Sequence, residues 1–180
     1  MLAYRDGGGA AFEALYARWR GPLYRYFLRQ CGHAGQADEL FQDVFMRVMG
    51  AAANYEPTAK FTTWLFRIAR NRLIDHWRKL GREPVDPLAS GEDGDDGEFD
   101  PPAAESAAPD RQAEQRELGA ALMAALNELP EVQREAFLLA EEGGLTLDEI
   151  ASISGVGRET IKSRLRYATA RLRRKLESWR

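Results

Sequence analysis

Leu145 to Leu176 reads LTLDEIASISGVGRETIKSRLRYATARLRRKL, and this stretch decides the fold of the chain's C-terminal half. Thr146 followed three residues later by Glu149 is a capping box, each side chain satisfying a backbone N–H of the other, so a short helix is predicted from there to about Ile153. Ala151 is small where two helices must cross closely. Gly155 falls four residues on, where a turn needs a permissive backbone, and Ile161 returns to the core. In the next helix Ile161, Leu165, Ala168, Leu172 and Leu176 form one apolar stripe, while Arg158, Lys162 and Arg166 share another face. An apolar seam backed by long cations at the N-terminal end is the form of a helix-turn-helix whose second helix enters a major groove. Ser154 is polar where such a turn usually buries an apolar side chain; Ile153 or Val156 is expected to fill that space.

A basic amphipathic helix can also be a solvated surface. Charge segregation argues against that reading, because Arg158 to Arg180 is net plus 7 although the whole chain is net minus 3. Such a local excess is an electrostatic footprint for nucleic acid.

The same asymmetry divides the chain into three blocks. Residues 1–80 are net plus 5, 81–110 net minus 9 and 111–180 net plus 1. The middle block, GREPVDPLASGEDGDDGEFDPPAAESAAPD, holds five of the eight prolines and little that could be buried, so it is expected to be a disordered acidic linker. The flanking blocks read as helical. Phe12, Leu15, Tyr16 and Trp19 make one stripe, and Gly21-Pro22 predicts a break or kink before Leu23, Tyr26 and Phe27 continue it. Leu40, Phe41, Val44, Phe45 and Val48 form the next stripe. After a loop between Gly50 and Lys60 a third helix is predicted from about Thr62 to Leu80, anchored by Trp64, Leu65, Ile68, Leu73 and Trp77. Leu118, Leu122, Ala125, Leu126 and Leu129 mark a helix ending near Pro130; another spans Glu131 to Glu141, closed by Gly143-Gly144. The expected fold is all-α, with two small helical domains, 1–80 and 111–180, joined by the linker 81–110.

Composition narrows the function classes. No run approaches the ~20 apolar residues of a membrane span, and MLAYRDGGGAAF lacks the apolar core of a signal peptide, so a cytoplasmic chain without membrane insertion is expected. The single cysteine, Cys31, excludes an internal disulfide. Cys31 and His33 have no second ligand pair, so an ordinary thiol at a helix end is favoured over a metal site. Neither His33 nor His76 stands in a triad spacing, and Gly7-Gly8-Gly9 lacks the Gly-Lys-Ser/Thr of a phosphate loop. No enzyme and no cofactor are expected.

Two further segments then point to one family. ADELFQDVFMRV (Ala37 to Val48) followed by FTTWLFRIARNRLIDHWRK (Phe61 to Lys79), and later LNELPEVQREAFLLAEEGGLTLDEIA with GRETIKSRLRYA, resemble the extracytoplasmic-function class of bacterial sigma factors. They look like its domains two and four, joined without the intervening folded domain of larger sigma factors. The resemblance implies partners: core RNA polymerase, through the clamp helices of its largest subunit and the flap of the second largest, promoter DNA, and an anti-sigma factor.

It also implies site residues. Asp38, Glu39, Leu40, Gln42 and Asp43 would form the polymerase dock, an acidic face suited to a basic partner; a solvated helix face is the alternative. Lys60, Phe61, Arg67, Asn71 and Arg78 would meet the melted minus-ten element, cations tracking phosphates while aromatics stack on bases. Asn54, Tyr55 and Phe61 would lie in the loop that captures a flipped base. Trp64 reads as core, and Asp75 with Arg78 reads alternatively as an internal ion pair. Arg158, Glu159, Lys162, Ser163 and Arg166 would read the minus-thirty-five element. The runner-up function is a dimeric helix-turn-helix regulator that never binds polymerase; a pure interaction adaptor would leave the basic helix unexplained.

Overall fold

A computed structural model describes residues 1–82 and 111–177, with side chains from Arg116 onward in the second segment. The expected linker therefore lies outside the described residues, apart from Gly81 and Arg82. Among the described residues the regular structure is helical: α1 (Leu2–Arg5), α2 (Gly9–Cys31), α3 (Ala34–Gly50), a single 3-10 turn at Ala52–Asn54, α4 (Phe61–Lys79), α5 (Arg111–Asn127), α6 (Glu131–Glu141), α7 (Leu147–Ser154) and α8 (Arg158–Lys175).

In the N-terminal half, α2, α3 and α4 enclose an aromatic-rich core. Leu23, Tyr26, Phe27, Val44, Val48, Leu65, Phe66 and Leu73 are fully buried. The Tyr26 and Phe66 rings meet edge to face with centroids 5.5 Å apart, a geometry favoured by the ring quadrupoles. Helix α2 continues through Pro22 as one helix, so of the break or kink expected at Gly21-Pro22 the break does not occur. Pro22 costs one backbone hydrogen bond, but Leu15 on one side and Leu23, Tyr26 and Phe27 on the other are all held in the core, and that packing keeps both halves in one helix. Gly32 then stops α2 with φ 68°, a left-handed conformation in which its N–H reaches the Leu28 carbonyl.

In the C-terminal half, α6 and α8 pack around Leu138, Leu139, Ile161, Leu165 and Ala168, with Leu126 of α5 and Ile150 of α7 closing the cluster. Leu118, expected on the α5 stripe, is exposed, because α5 meets the core through its last turns at Ala125 and Leu126.

The two halves share one hydrophobic cluster, in which Leu23, Phe66 and Leu73 are continuous with Ala136, Leu138 and Ile153. Periodicity along the chain does not reveal this docking. Its rim is ionic. Arg25 and Arg29 of α2 hold Glu142 at 2.9 and 2.5 Å, Arg70 of α4 holds Glu135 of α6 at 3.0 Å, and Lys60 holds Glu149 of α7 at 3.1 Å.

Candidate nucleic-acid interface

The helix-turn-helix is built from local rules. Thr146 Oγ1 accepts the Glu149 N–H at 3.4 Å, and Glu149 Oε2 accepts the Thr146 N–H at 2.8 Å, completing the capping box at the start of α7. Gly155 ends α7 at φ 71°, where a side chain with a Cβ would be strained, and its N–H returns to the Ala151 carbonyl. Ile153 is buried and Val156 packs against the core, so both residues expected to supply the apolar contact at this turn face inward.

From Gly157, α8 projects its candidate readers outward. Arg158, Glu159 and Lys162 are exposed, and Ser163 and Arg166 are half-buried. Arg158 pairs with Asp148 at 3.2 Å and Glu159 at 3.6 Å, while the Arg166 guanidinium lies 5.1 Å above the Tyr167 ring. Arg164 is different: it is 4% exposed and its charge helps to stabilise the buried Glu135. It belongs to the core, and its basic type on a basic helix conceals this from the sequence; only its place beside Ile161 and Leu165 on the helical wheel signals it.

On α4 the cations divide by direction. Lys60 and Arg67 are exposed at their outer edges but turn toward α7, Lys60 to Glu149 and Arg67 Nη2 donating to Ser152 Oγ at 3.1 Å. Arg70 reaches Glu135 and donates to the Ile153 carbonyl at 3.3 Å. Arg72 turns back to Asp43 of α3, and Asn71 is exposed. Arg78 is exposed with a loose 3.6 Å contact to Asp75.

The Gly50–Lys60 loop places Asn54 on the surface at the end of the 3-10 turn. Tyr55, by contrast, is 6% exposed, its ring 5.0 Å from Trp64 and 6.3 Å from Phe61. It therefore supports the loop from beneath, and cannot stack on a base unless this aromatic cluster opens. Phe61 is half-buried and borders an open cleft of about 400 Å³, lined also by Leu15, Arg18, Trp19 and Thr62. Trp64 packs in the cluster as the apolar stripe predicts.

On α3, Asp38, Glu39 and Gln42 are exposed. Asp43 is half-buried because it is engaged by Arg72. Leu40 is 2% exposed and faces inward, so it holds the helix in place and presents nothing to a partner. Two residues absent from the sequence reading join the outer face: Met46, 64% exposed, and Met49, which follow Glu39 and Gln42 at helical spacing. That spacing was the available signal, masked by the ordinary assumption that methionine is core.

Among the described residues, no group of three or more His, Cys, Asp or Glu could hold a metal ion, and no helix is long and apolar enough to cross a membrane. Burial pushes the Cys31 thiol up to about 11, so it is a poor nucleophile near neutral pH.

A basic helix behind a capped turn, together with a second helix that interleaves cations and aromatics, has the form of a two-part nucleic-acid-binding protein. Residues 15–83 match the family model for Sigma-70 region 2, and residues 119–172 that for Sigma-70 region 4. The chain is 35% identical over 175 residues to the ECF RNA polymerase sigma factor RpoE of Cereibacter sphaeroides, covering 96% of this chain and 91% of that protein. It is 34% identical over 163 residues to the ECF RNA polymerase sigma factor SigE of Mycolicibacterium smegmatis, covering 91% of this chain but spanning only 60% of that relative. Among solved structures, the sigma factor RpoE of Bartonella quintana, in complex with its anti-sigma factor NepR, aligns with a TM-score of 0.67 at 27% identity over 94% of this chain and 99% of that one. The chain belongs to the extracytoplasmic-function class of RNA polymerase sigma factors.

Proposed function

We propose that this chain is an alternative sigma factor that binds core RNA polymerase, directs it to a specific set of promoters and helps to melt the DNA there. It acts as a binding subunit in the cytoplasm without chemistry of its own. The observation that carries the reading is the pairing, within one chain, of a helix-turn-helix that presents Arg158, Lys162 and Arg166 with a helix, α4, whose cations and aromatics suit unpaired DNA. Residues 1–80 would hold polymerase and the minus-ten element, and residues 111–180 the minus-thirty-five element.

In this account Asp38, Glu39 and Gln42 meet the clamp helices of the largest polymerase subunit, with Met46 extending the contact along the same face. The C-terminal half meets the flap of the second-largest subunit. Asn54, Lys60, Phe61, Arg67, Asn71 and Arg78 act on the opened strand. The Bartonella relative was solved with an anti-sigma factor, which supports a protein inhibitor for this chain as well. The test is transcription from a promoter library with purified core polymerase, with and without the chain. Binding of a palindromic duplex as a dimer, without any stimulation of polymerase, would replace this reading by that of a conventional regulator.

A further inference from the structure

Resting on the reading of residues 50–60 as the loop that captures an unpaired base, we infer that the N-terminal helix α1 is a brace for that loop, and that Arg5 and Gly8 are positioning residues for recognition of the minus-ten element. Helix α1 is four residues long, Leu2–Arg5, too short to persist by its own backbone hydrogen bonds. Its place is set by what it touches. The Tyr4 ring lies 4.9 Å from that of Phe12 on α2, Met1 packs against the core and lines the cleft that Phe61 borders, and Arg5 Nη1 donates to the Tyr55 carbonyl at 3.4 Å. Asp6 holds the Arg5 guanidinium at 3.0 Å, which steadies that donation.

The turn that folds α1 back depends on two of the three consecutive glycines. Gly7 adopts φ 97°, a conformation that residues with a Cβ rarely take, and the Gly8 N–H returns to the Ala3 carbonyl at 2.9 Å. A Cβ on Gly8 would stand 2.7 Å from that same carbonyl oxygen, so the fold-back closes only over a bare backbone. Tyr55 is thereby held from two sides: its ring packs against Trp64 beneath the loop, and its carbonyl is tied to α1. Asn54, the exposed neighbour that ends the 3-10 turn, takes its position from that fixed backbone. An ordered loop has less conformational freedom left to lose when it meets its base, so α1 contributes to affinity without itself contacting DNA.

The test uses the full chain assembled with core polymerase, and fluorescein-labelled fragments of a promoter that it transcribes. In these fragments the non-template minus-ten strand is unpaired, either intact or carrying an abasic site at each position in turn. Gly8→Ala changes no charge and should weaken binding of the intact strand roughly three- to tenfold. Arg5→Ala should match it, and Arg5→Lys, which keeps a donor, should recover most of the loss. At the abasic position where wild type loses the captured base, both variants and wild type should bind alike, a convergence that general damage to the domain would not produce. Binding to core polymerase should not change. Hydrogen exchange of residues 51–60 in the free chain should quicken in both variants, while that of α4 stays slow. Equal losses on intact and abasic strands, no loss at all, or unchanged loop exchange overturns the inference. Should wild type be indifferent to every abasic site while Gly8→Ala quickens loop exchange, the base-capture reading fails and the brace stands.

Discussion

Glu149 and Lys60 join two levels of the structure: one carboxylate oxygen of Glu149 caps α7 through the Thr146 N–H, and the other holds the Lys60 ammonium across the junction between the halves at 3.1 Å. The helix start and the docking of the halves thus depend on one ionised group. The Thr146 N–H, then Lys60 and the Thr146 and Thr63 hydroxyls, hold its carboxyl at about 2, although burial opposes them.

The first prediction is a pH window. A carboxyl whose folded pKa is depressed contributes stability fully above its ordinary value, 4.5 here, and loses it as pH falls toward about 2. Thermal unfolding followed from pH 6 to pH 2 should show a fall in stability across that window, reduced in Glu149→Gln, which should itself cost ~1–2 kcal/mol at neutral pH. Glu135 runs the other way. Burial raises its carboxyl despite Arg70, so its contribution is present at low pH and lost as pH rises through the raised value, and Glu135→Gln should be tolerated better than Arg70→Gln.

On α8, neighbouring arginines should separate into two kinds. Arg158→Ala and Arg166→Ala should each weaken binding to a duplex upstream element, by on the order of 1–3 kcal/mol where a base edge is read, with little change in melting temperature. Arg164→Ala should lower the stability of the chain by roughly 2 kcal/mol or more, since it removes a buried charge near Glu135. Footprinting beside thermal melts separates them, and a stable Arg164→Ala variant with a lost footprint would refute this division.

The face of α3 gives a graded series. Asp38→Lys with Glu39→Lys should weaken binding to core polymerase at least tenfold while the chain stays folded, because both side chains are exposed. Asp43→Lys should also reduce stability, because it breaks the contact with Arg72 and sets two cations together. Competition against a labelled sigma factor for core polymerase, read with circular dichroism, checks both.

At the turn, Gly155→Ala meets no neighbouring atom, so its cost is conformational alone. Placing a Cβ at φ 71° should cost ~1–2 kcal/mol and lower the melting temperature by a few degrees.

What the sequence reveals and what it hides follow from the range of the interactions. The Thr146–Glu149 box, the Gly155 turn and the α8 stripe are set within a few residues of each other, so their spacing is enough to read them. Pro22 does not break α2, because packing of Leu15, Leu23 and Phe27 into a common core holds both sides in one helix. Leu40 and Tyr55 occupy segments identified as functional but face inward, a distinction that depends on the orientation of whole helices. The docking of α6 and α7 on α2 and α4 was not legible at all: Glu135 and Glu142 look like ordinary solvated acids, and Glu149 like a helix cap alone, until the fold brings Arg70, Arg25, Arg29 and Lys60 to them.

The most direct measurement is multi-round transcription with purified core polymerase on a promoter library, comparing the wild-type chain, the Asp38→Lys/Glu39→Lys variant and an Arg158→Ala/Lys162→Ala/Arg166→Ala variant. The account predicts chain-dependent transcripts from promoters that share two elements. The α3 variant should lose them together with polymerase binding, while the α8 variant should keep polymerase binding and lose only the upstream preference. Transcription unaffected by the wild-type chain, or an α3 variant that programmes polymerase as well as wild type, would contradict it.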